Sequence, residues 1–395
     1  MKNFKVLMIA PTSFFADYGC HVRILEEALI LQKMGHEITI CTYHNGQDVK
    51  GLEIERTLSN PWRREYEVGS SRHKVAFDLL LFLKSLSVAL RKKPEIIHAH
   101  LHEGALIGYP ISLLLRIPLV FDFQGSLTSE MIDHHFLKPD GPFYSPMRRL
   151  EEIITRLPEA IITSSQHAKK LLCNEFGCHE ERIHVVPDGV NPELFQRNGD
   201  QEAEALLKFR LGIPPDRKIV VYLGLLAEYQ GIGLLLEGIA ALGDRLRNAH
   251  FLIMGFPGVD YYRMRAQQLG IEDRVTFTGK VPYWEAPSYL ALGDVAVAPK
   301  ISATEGSGKL LNYMAMALPI VAFDTSVSRE YLGEWGVYAP KGDAVALAEA
   351  ILSLLDNEGR AKELGRRLRE RVARHYHWQE AGKEIVRIYE NRVGT

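Results

Sequence analysis

The feature that most constrains the fold of this 395-residue chain is the alternation of short apolar runs with helix-length segments. The runs are apolar at consecutive positions, which is typical of parallel strands that helices cover on both faces. A first set covers residues 6–10, 37–43, 95–100, 118–123, 160–164 and 184–187. A second set covers residues 218–224, 250–255, 275–279, 295–299, 320–324 and 336–339. The pattern predicts an α/β fold with two doubly wound parallel-sheet domains.

A polar stretch near residues 196–204 separates the two sets of strands. We therefore place an N-terminal domain at residues 1–195 and a C-terminal domain at residues 200–375, followed by an amphipathic helix over residues 378–392. Hydrophobic residues make up 46% of the chain and charged residues 24%, which supports a sizeable core. The formal net charge is −2, whereas a nucleic-acid partner would normally require a basic excess.

The apolar segments of the sequence bear on whether the protein contacts a membrane. No segment is long and apolar enough to span a bilayer, and we expect no signal peptide because the N-terminal apolar run is too short. Residues 77–90 come closest, but Asp78 and Lys84 interrupt them, and the basic residues 91–93 follow. A half-buried helix is favoured, and a helix on an anionic membrane surface is the alternative. The four cysteines lack the spacing of zinc ligands, so we expect reduced thiols in the cytoplasm.

The segment "TEGSGKLLNYMAMALPIVAFD", residues 304–324, combines an acid, two glycines and a lysine at a predicted helix start. Ligands of parallel sheets bind outside the carboxyl ends of the strands, where this segment lies. Free N–H groups at a helix start attract an anion, Gly306 and Gly308 allow close approach, and Lys309 adds a charge suited to phosphate. The Glu305 carboxylate suits sugar hydroxyls. Together these features predict a nucleotide-sugar site, and a helix start that only caps and turns is the alternative.

Polar side chains also end strands of the first domain. His98, His100 and His102 alternate at strand period, so they share one face of the sheet. A metal site would need further ligands, so strand-end histidines beside a cleft, or one buried structural histidine, are favoured. Asp122 and Gln124 end the next strand, and we expect them to face the same cleft.

Several segments resemble the group 1, family-4 type of retaining glycosyltransferases, which have the GT-B fold. The segment "GCHVRILEEALILQKMGHEITICT" resembles that family's glycine loop, helix and second strand, and "PEIIHAHLHEGALIG" resembles its PDIIHAH segment. The segments "VVPDGVNPELF", "VTFTGKVPYWEAPSYLALGDVAVAPK" and "GVYAPKGDAVALAEAI" are similar to later family segments. Residues 304–324 resemble the family's donor motif, EGFG…LEAMA.GLPVVA. The order and spacing of these matches cover nearly the whole chain.

The resemblance implies two Rossmann-like domains that face a cleft, with a nucleotide-sugar donor held mainly by the second domain. It also implies that the C-terminal helix, residues 376–395, crosses back onto the first domain. Catalysis would retain the anomeric configuration without a metal or other cofactor. By position, Gly19 matches a glycine near the donor phosphates, and Glu305 matches the first glutamate of the motif, near the donor sugar.

The chain departs from the family pattern at the diphosphate site. The family's arginine and lysine after the first strand of the second domain are Leu225 and Gln230 here, and its second motif glutamate is Asn312. Two cations beside a diphosphate contribute on the order of several kcal/mol. We therefore expect Lys309 or Lys300 to replace them.

These observations predict a glycosyltransferase that moves a sugar from a nucleotide-sugar donor to a hydroxyl of a sugar, lipid-linked or small-molecule acceptor. The alternatives are a non-catalytic nucleotide or sugar binder and another GT-B enzyme, such as an epimerase or a phosphorylase. Peripheral contact with the inner membrane face through the N-terminal domain stays open. The predicted catalytic residues are Glu305, His100 and Gln124, of which Gln124 stands where the family has histidine. The predicted donor-binding residues are Gly19, Gly224, Gly255, Lys300, Gly306, Ser307, Gly308, Lys309, Leu310 and Asn312.

Overall fold

The computed structural model describes residues 2–17, 19–59, 74–302 and 306–393, and these form two parallel β-sheets. The described strands of the N-terminal sheet are β1 (Lys5–Ala10), β2 (Glu37–Thr42), β3 (Glu53–Arg56), β4 (Ile96–His100), β5 (Leu119–Phe123), β6 (Ala160–Thr163) and β7 (Ile183–Val185). Those of the C-terminal sheet are β8 (Lys218–Leu223), β9 (Ala249–Met254), β10 (Val275–Gly279), β11 (Val295–Ala298), β12 (Ile320–Phe323) and β13 (Val337–Ala339).

Each sheet reverses its strand order once. The N-terminal order is β3-β2-β1-β4-β5-β6-β7, and the C-terminal order is β10-β9-β8-β11-β12-β13. The reversals lie between β1 and β4 and between β8 and β11, and each opens a crevice at the carboxyl ends of the strands. The predicted fold class, two doubly wound parallel-sheet domains, is confirmed.

Helices cover both faces of the sheets. The described helices up to β7 are α1 (Gly19–Lys33), α2 (Lys74–Lys92), α3 (Leu101–Leu115), α4 (Leu127–Asp133), α5 (Tyr144–Arg156) and α6 (Gln166–Phe176). The helices that follow are α7 (Gln201–Arg210), α8 (Ile232–Leu242), α9 (Val259–Gln268), α10 (Ala286–Ala291), α11 (Gly308–Ala315), α12 (Ser326–Leu332), α13 (Ala344–Leu355), α14 (Glu358–His375) and α15 (Trp378–Val393). Strands β4, β5, β6, β9, β11 and β12 are buried at every position, as strands covered on both faces must be.

The last helix, α15, packs on α1 of the N-terminal domain. Gly382 lies so close to α1 that a Cβ there would be 2.9 Å from Ile30 and 3.0 Å from the Met34 sulfur. Further along α15, the Tyr389 hydroxyl lies 2.6 Å from Nδ1 of His98 on β4. The chain therefore returns to the first domain after completing the second.

Two elements differ from the sequence prediction. Strand β3 was not predicted, because its sequence, EIER, lacks an apolar run. In the structure it lies half-exposed at the edge of the sheet. Helix α7 lies partly in the polar stretch predicted as a linker, and its amino terminus is capped by Asp200, which accepts from Ala203 N at 3.0 Å. Among the described residues, no helix combines the length and the apolar content needed to cross a membrane.

Candidate active site

A cleft with a cavity volume of about 310 Å³ separates the two sheets. It is lined by the segments that follow β1, β4 and β5 on one side and β8, β9 and β11 on the other. These are the strand ends at and beside the two reversal points, where parallel sheets bind ligands.

The domains touch beside the cleft through a polar cluster around Tyr283. Asp17 accepts a hydrogen bond from Tyr283 N at 2.9 Å and pairs with Lys280 Nζ at 2.9 Å. The Tyr283 hydroxyl donates to Glu26 Oε1 at 2.8 Å. Burial raises the pKa of Glu26, and the hydrogen bond from Tyr283 opposes that rise. These contacts hold the two halves of the cleft against each other.

Lys309 lies in the first turn of α11, at the mouth of the C-terminal sheet. Its Nζ donates to Gln230 Oε1 at 2.7 Å and to the Tyr222 hydroxyl at 3.2 Å, and it lies 4.4 Å above the Tyr222 ring. A Cβ at Gly224 would come within 2.6 Å of this Nζ, so a side chain there would displace the lysine from its present position. Gln230, which stands where the family has a lysine, thus positions the charge of Lys309.

The start of α11 lies beside Lys309 in the C-terminal half of the cleft. Ser307 is the N-cap residue, but its side chain caps no helix N–H, and its buried Oγ has no hydrogen-bond partner among the described residues. Lys300 Nζ donates to Gly306 O at 3.4 Å. Uncapped N–H groups beside two lysines can bind a phosphate anion.

Most of the predicted site residues line the cleft. The ones that do are Gly19, Gln124, Gly224, Gly255, Lys300, Gly306, Ser307, Gly308, Lys309 and Asn312. Leu310 instead is buried in the core, with 1% of its surface exposed. Glu305 lies outside the described residues. The roles assigned to these residues stay predictions.

In the N-terminal half, Gln124 faces the cleft above a buried polar network. Its amide nitrogen donates to Asp122 Oδ2 at 2.7 Å, and His100 Nδ1 lies 3.1 Å from the same oxygen. Asp122 and His100 are fully buried and do not line the cleft, although both were expected beside it. Their position suits support of Gln124 rather than contact with a substrate.

Arg23 joins this network and was not predicted from the sequence. It bonds Asp122 through Nε at 3.0 Å and Nη2 at 2.8 Å, and Asp188 through Nη1 at 2.6 Å. Asp188 follows β7 and lies close to Gly306 of the second domain. A Cβ on Gly306 would be 3.1 Å from Asp188 Oδ2. In the sequence, Arg23 and Glu27 form a polar stripe on α1, and no signal there shows that this stripe faces inward.

The N-terminal wall of the cleft contains further residues that the sequence did not point to. Lys74 and Glu103 form an ion pair there, and Glu130 and His134 line the same wall, together with His102, which was expected beside the cleft. This wall presents both carboxylates and imidazoles, which bond hydroxyl groups readily. Without the fold, these residues lie too far apart in sequence to be grouped.

Comparison with known proteins identifies the family. Residues 19–194 match the family model described as Glycosyltransferase Family 4, and residues 217–357 match that of Glycosyl transferases group 1. The chain is 31% identical, over 406 aligned residues, to a phosphatidyl-myo-inositol mannosyltransferase of Mycobacterium leprae, with 98% of this chain and 96% of that protein covered. The chain belongs to the group 1, family-4 glycosyltransferases. The predicted family is therefore confirmed.

Other relatives and structures agree with this assignment. The glycosyltransferase is 26% identical to a D-inositol 3-phosphate glycosyltransferase of Corynebacterium glutamicum, with 95% of this chain and 92% of that protein covered. Its fold is similar to that of sucrose-phosphate synthase from Thermosynechococcus elongatus, with a TM-score of 0.83, 19% identity, and coverage of 98% and 99%. It is also similar to Anabaena HepE in complex with UDP-glucose, with a TM-score of 0.78, 16% identity, and coverage of 98% and 100%.

Proposed function

We propose that this glycosyltransferase moves a sugar from a nucleotide-sugar donor to an acceptor hydroxyl, with retention of anomeric configuration and without a metal ion in the donor site. The observation that carries the proposal is the position of Lys309. It brings one full positive charge to the uncapped start of α11, beside Gly224, where the family's diphosphate cations are missing. This position argues against the alternative of a binder that has lost its phosphate site.

Charge grows on the leaving diphosphate as the bond to the anomeric carbon breaks, and the transition state resembles an oxocarbenium ion. Lys309 and the backbone N–H groups at Gly306–Gly308 stabilise that charge from fixed positions. The contacts of Asp17 and Glu26 with Tyr283 hold the domains together, which keeps water from the donor.

For the acceptor, we propose a polyol of the inositol-containing class. The names of the Mycobacterium leprae and Corynebacterium glutamicum relatives both contain an inositol compound. We place the acceptor at the N-terminal wall of the cleft, called the acceptor wall below. It carries Glu103, Glu130 and Gln124, whose oxygens accept hydrogen bonds from hydroxyl groups.

The experiment that tests the proposed function is a thermal-shift panel of UDP-, GDP- and ADP-sugars, followed by a product assay with inositol acceptors. We expect one nucleotide class to raise the melting temperature and its sugar to appear in the product. The anomeric configuration of that product, read by NMR coupling constants, tests retention. Transfer that continues in EDTA supports a metal-free donor site, and donor binding without transfer would favour the non-catalytic alternative.

Replacing Lys309 by methionine should weaken binding of the nucleotide-sugar donor by about 1.5 to 3 kcal/mol, the usual contribution of a charged hydrogen bond. This corresponds to a Kd roughly 10 to 150 times higher, measured by calorimetry. Lys341→Met, at an exposed loop position, is the matched control and should bind as the wild type does. Unchanged donor affinity in Lys309→Met would exclude Lys309 from the site and leave Lys300 as the candidate.

We also propose that α2 contacts a membrane surface. Phe77, Leu81 and Val88 are buried on one face of this helix, whereas Leu79 and Leu83 are 61% and 53% exposed on the other. The double variant Leu79→Ser, Leu83→Ser should bind anionic vesicles at least about tenfold more weakly, because two leucines no longer bury apolar surface in the interface.

A flotation assay with vesicles of phosphatidylcholine and phosphatidylglycerol measures this binding. Leu206→Ser is the matched control, since Leu206 is 48% exposed on α7 of the other half of the chain. Wild-type protein that does not float with the vesicles would contradict the membrane proposal and leave the transfer proposal intact.

A further inference from the structure

Beneath the N-terminal wall of the cleft, four ionisable residues form a fully buried cluster. Glu27 comes from α1, His98 and His100 from β4, and Asp122 from β5. One potential ligand atom from each residue lies within 4.8 Å of the others. None of the four lines the cleft as far as the structure describes it, and the proposed transfer reaction makes no use of Glu27 or His98.

The two histidines are oriented in the same way. The Nδ1 atom of His98 bonds the Tyr389 hydroxyl at 2.6 Å, and that of His100 bonds Asp122 Oδ2 at 3.1 Å. Both Nε2 atoms are buried without a hydrogen-bond partner in the part of the chain that the structure describes. Histidines that bind a metal through Nε2 are commonly held through Nδ1 by an outer carboxylate or similar group.

Glu27 lacks the hydrogen bonds that a buried carboxylate normally has. Arg23 Nη2 is 3.1 Å from its Oε1, but neither oxygen accepts a hydrogen bond from any described residue. Its Oε2 lies 3.7 Å from His98 Nε2. Burial without hydrogen bonds is costly for a carboxylate and raises the pKa of Glu27 well above its usual value, so a proton or a further cation must neutralise it.

Asp122 has no acceptor capacity left for a ligand. Its two oxygens accept from Arg23 Nε and Nη2, from the Gln124 amide and from His100 Nδ1. A carboxylate offers about four acceptor positions, and these bonds use them. Asp122 therefore orients His100.

Arg23 contacts three carboxylates, those of Glu27, Asp122 and Asp188. It makes hydrogen bonds to Asp122 and Asp188 but not to Glu27. A cation beside Glu27 would therefore take the place of the hydrogen bonds that this carboxylate lacks.

We infer that Glu27, His98 and His100 bind a divalent cation, with zinc as the ion that this set of nitrogen and oxygen ligands favours. The 3.7 Å separation of Glu27 Oε2 and His98 Nε2 is close to the edge of a zinc tetrahedron, roughly 3.4 Å. The second Glu27 oxygen or a water would complete the coordination. Such an ion would join α1 to β4 and, through Tyr389, to α15, in a structural role separate from the donor site.

Because the cluster is fully buried, the metal must be supplied while the chain folds. Tag-free protein is therefore produced with zinc or with Co²⁺ in the medium and analysed for metal content after gel filtration. We expect about one equivalent per chain, and visible d–d absorption of four-coordinate Co²⁺ in the cobalt form. Protein unfolded with EDTA and refolded in zinc should melt at a higher temperature than protein refolded in EDTA.

Glu27→Gln and His98→Asn should each lower the metal content below about a tenth of an equivalent. His250→Asn is the matched control, since His250 is also a buried strand histidine but lies on β9 of the other sheet. Glu27→Gln keeps the shape of the side chain, so it remains informative even where His98→Asn fails to fold. Wild-type protein with no metal after both preparations would overturn the inference, as would equal metal content in Glu27→Gln.

Discussion

Replacing Arg23 by methionine should lower the free energy of unfolding by about 3 to 5 kcal/mol, the usual cost of leaving a buried charge without its partner. The guanidinium is 6% exposed and contacts Asp122, Asp188 and Glu27. Methionine fills a similar volume, so the loss reports charge rather than packing. Urea unfolding followed by tryptophan fluorescence and circular dichroism measures the change.

Arg329→Met is the matched control. Arg329 also makes a two-bond pair with an aspartate, Asp324, but its side chain is 52% exposed. Exposed pairs contribute about 1 kcal/mol or less, so this variant should unfold nearly as the wild type does. Equal losses of unfolding free energy in the two variants would show that burial does not determine how much the Arg23 ion pairs stabilise the protein.

The cost of Arg23→Met should also depend on pH. Burial alone would raise the pKa of Asp122, but the charge of Arg23 outweighs burial and holds that pKa well below its usual value. In the wild type, the pair of Arg23 and Asp122 therefore stabilises the fold fully above pH 3.9, roughly the pKa of Asp122 in the unfolded chain. This stability is lost as the pH falls from there through the lower pKa of Asp122 in the folded protein. Without Arg23, burial raises the folded pKa, so protonation stabilises the folded variant as the pH falls. The difference between the proteins should thus be largest near neutral pH and shrink in acid.

The strands were predictable because strands that are buried on both faces of a sheet have apolar residues at consecutive positions. Strands such as β11 and β12 are apolar at every position. The donor loops followed from that, since ligands bind at the carboxyl ends of parallel strands. Strand β3 could not be predicted in this way because three of its four residues are charged, and Glu53 and Glu55 pair with Lys92 and Lys84 of α2 at the sheet edge.

The buried network was not predictable, because its members are distant in sequence. His98 and Tyr389 are 291 positions apart, and Arg23 and Asp188 are 165 apart. Arg23 and Glu27 read as one polar stripe on an amphipathic helix, and only the fold shows that this stripe faces inward. Likewise, the sequence offered Lys309 or Lys300 in place of the missing cations but could not show that Lys309 Nζ donates to Gln230 and to Tyr222.

Glu305→Gln should lower turnover by about a hundredfold or more while leaving binding of the nucleoside diphosphate nearly unchanged. Glu305 lies outside the described residues, and its role is a prediction from the donor motif and from the phosphate-binding groups that follow it. A carboxylate that accepts sugar hydroxyls orients the sugar and stabilises positive charge in the transition state. Glutamine keeps the shape and removes the charge, so the loss should fall on kcat rather than on nucleotide affinity.

Glu272→Gln serves as the control, because Glu272 is exposed before β10 and lies outside the cleft. Initial-rate kinetics give kcat for each protein, and calorimetry gives the Kd of the nucleoside diphosphate. A parallel loss of nucleotide binding and turnover in Glu305→Gln would indicate a collapsed loop, because a sugar ligand contributes nothing to the affinity of the bare nucleotide. Unchanged kcat would show that Glu305 only caps the start of α11, and the charge that stabilises the sugar would then have to come from the acceptor wall, where Glu103 and Glu130 lie.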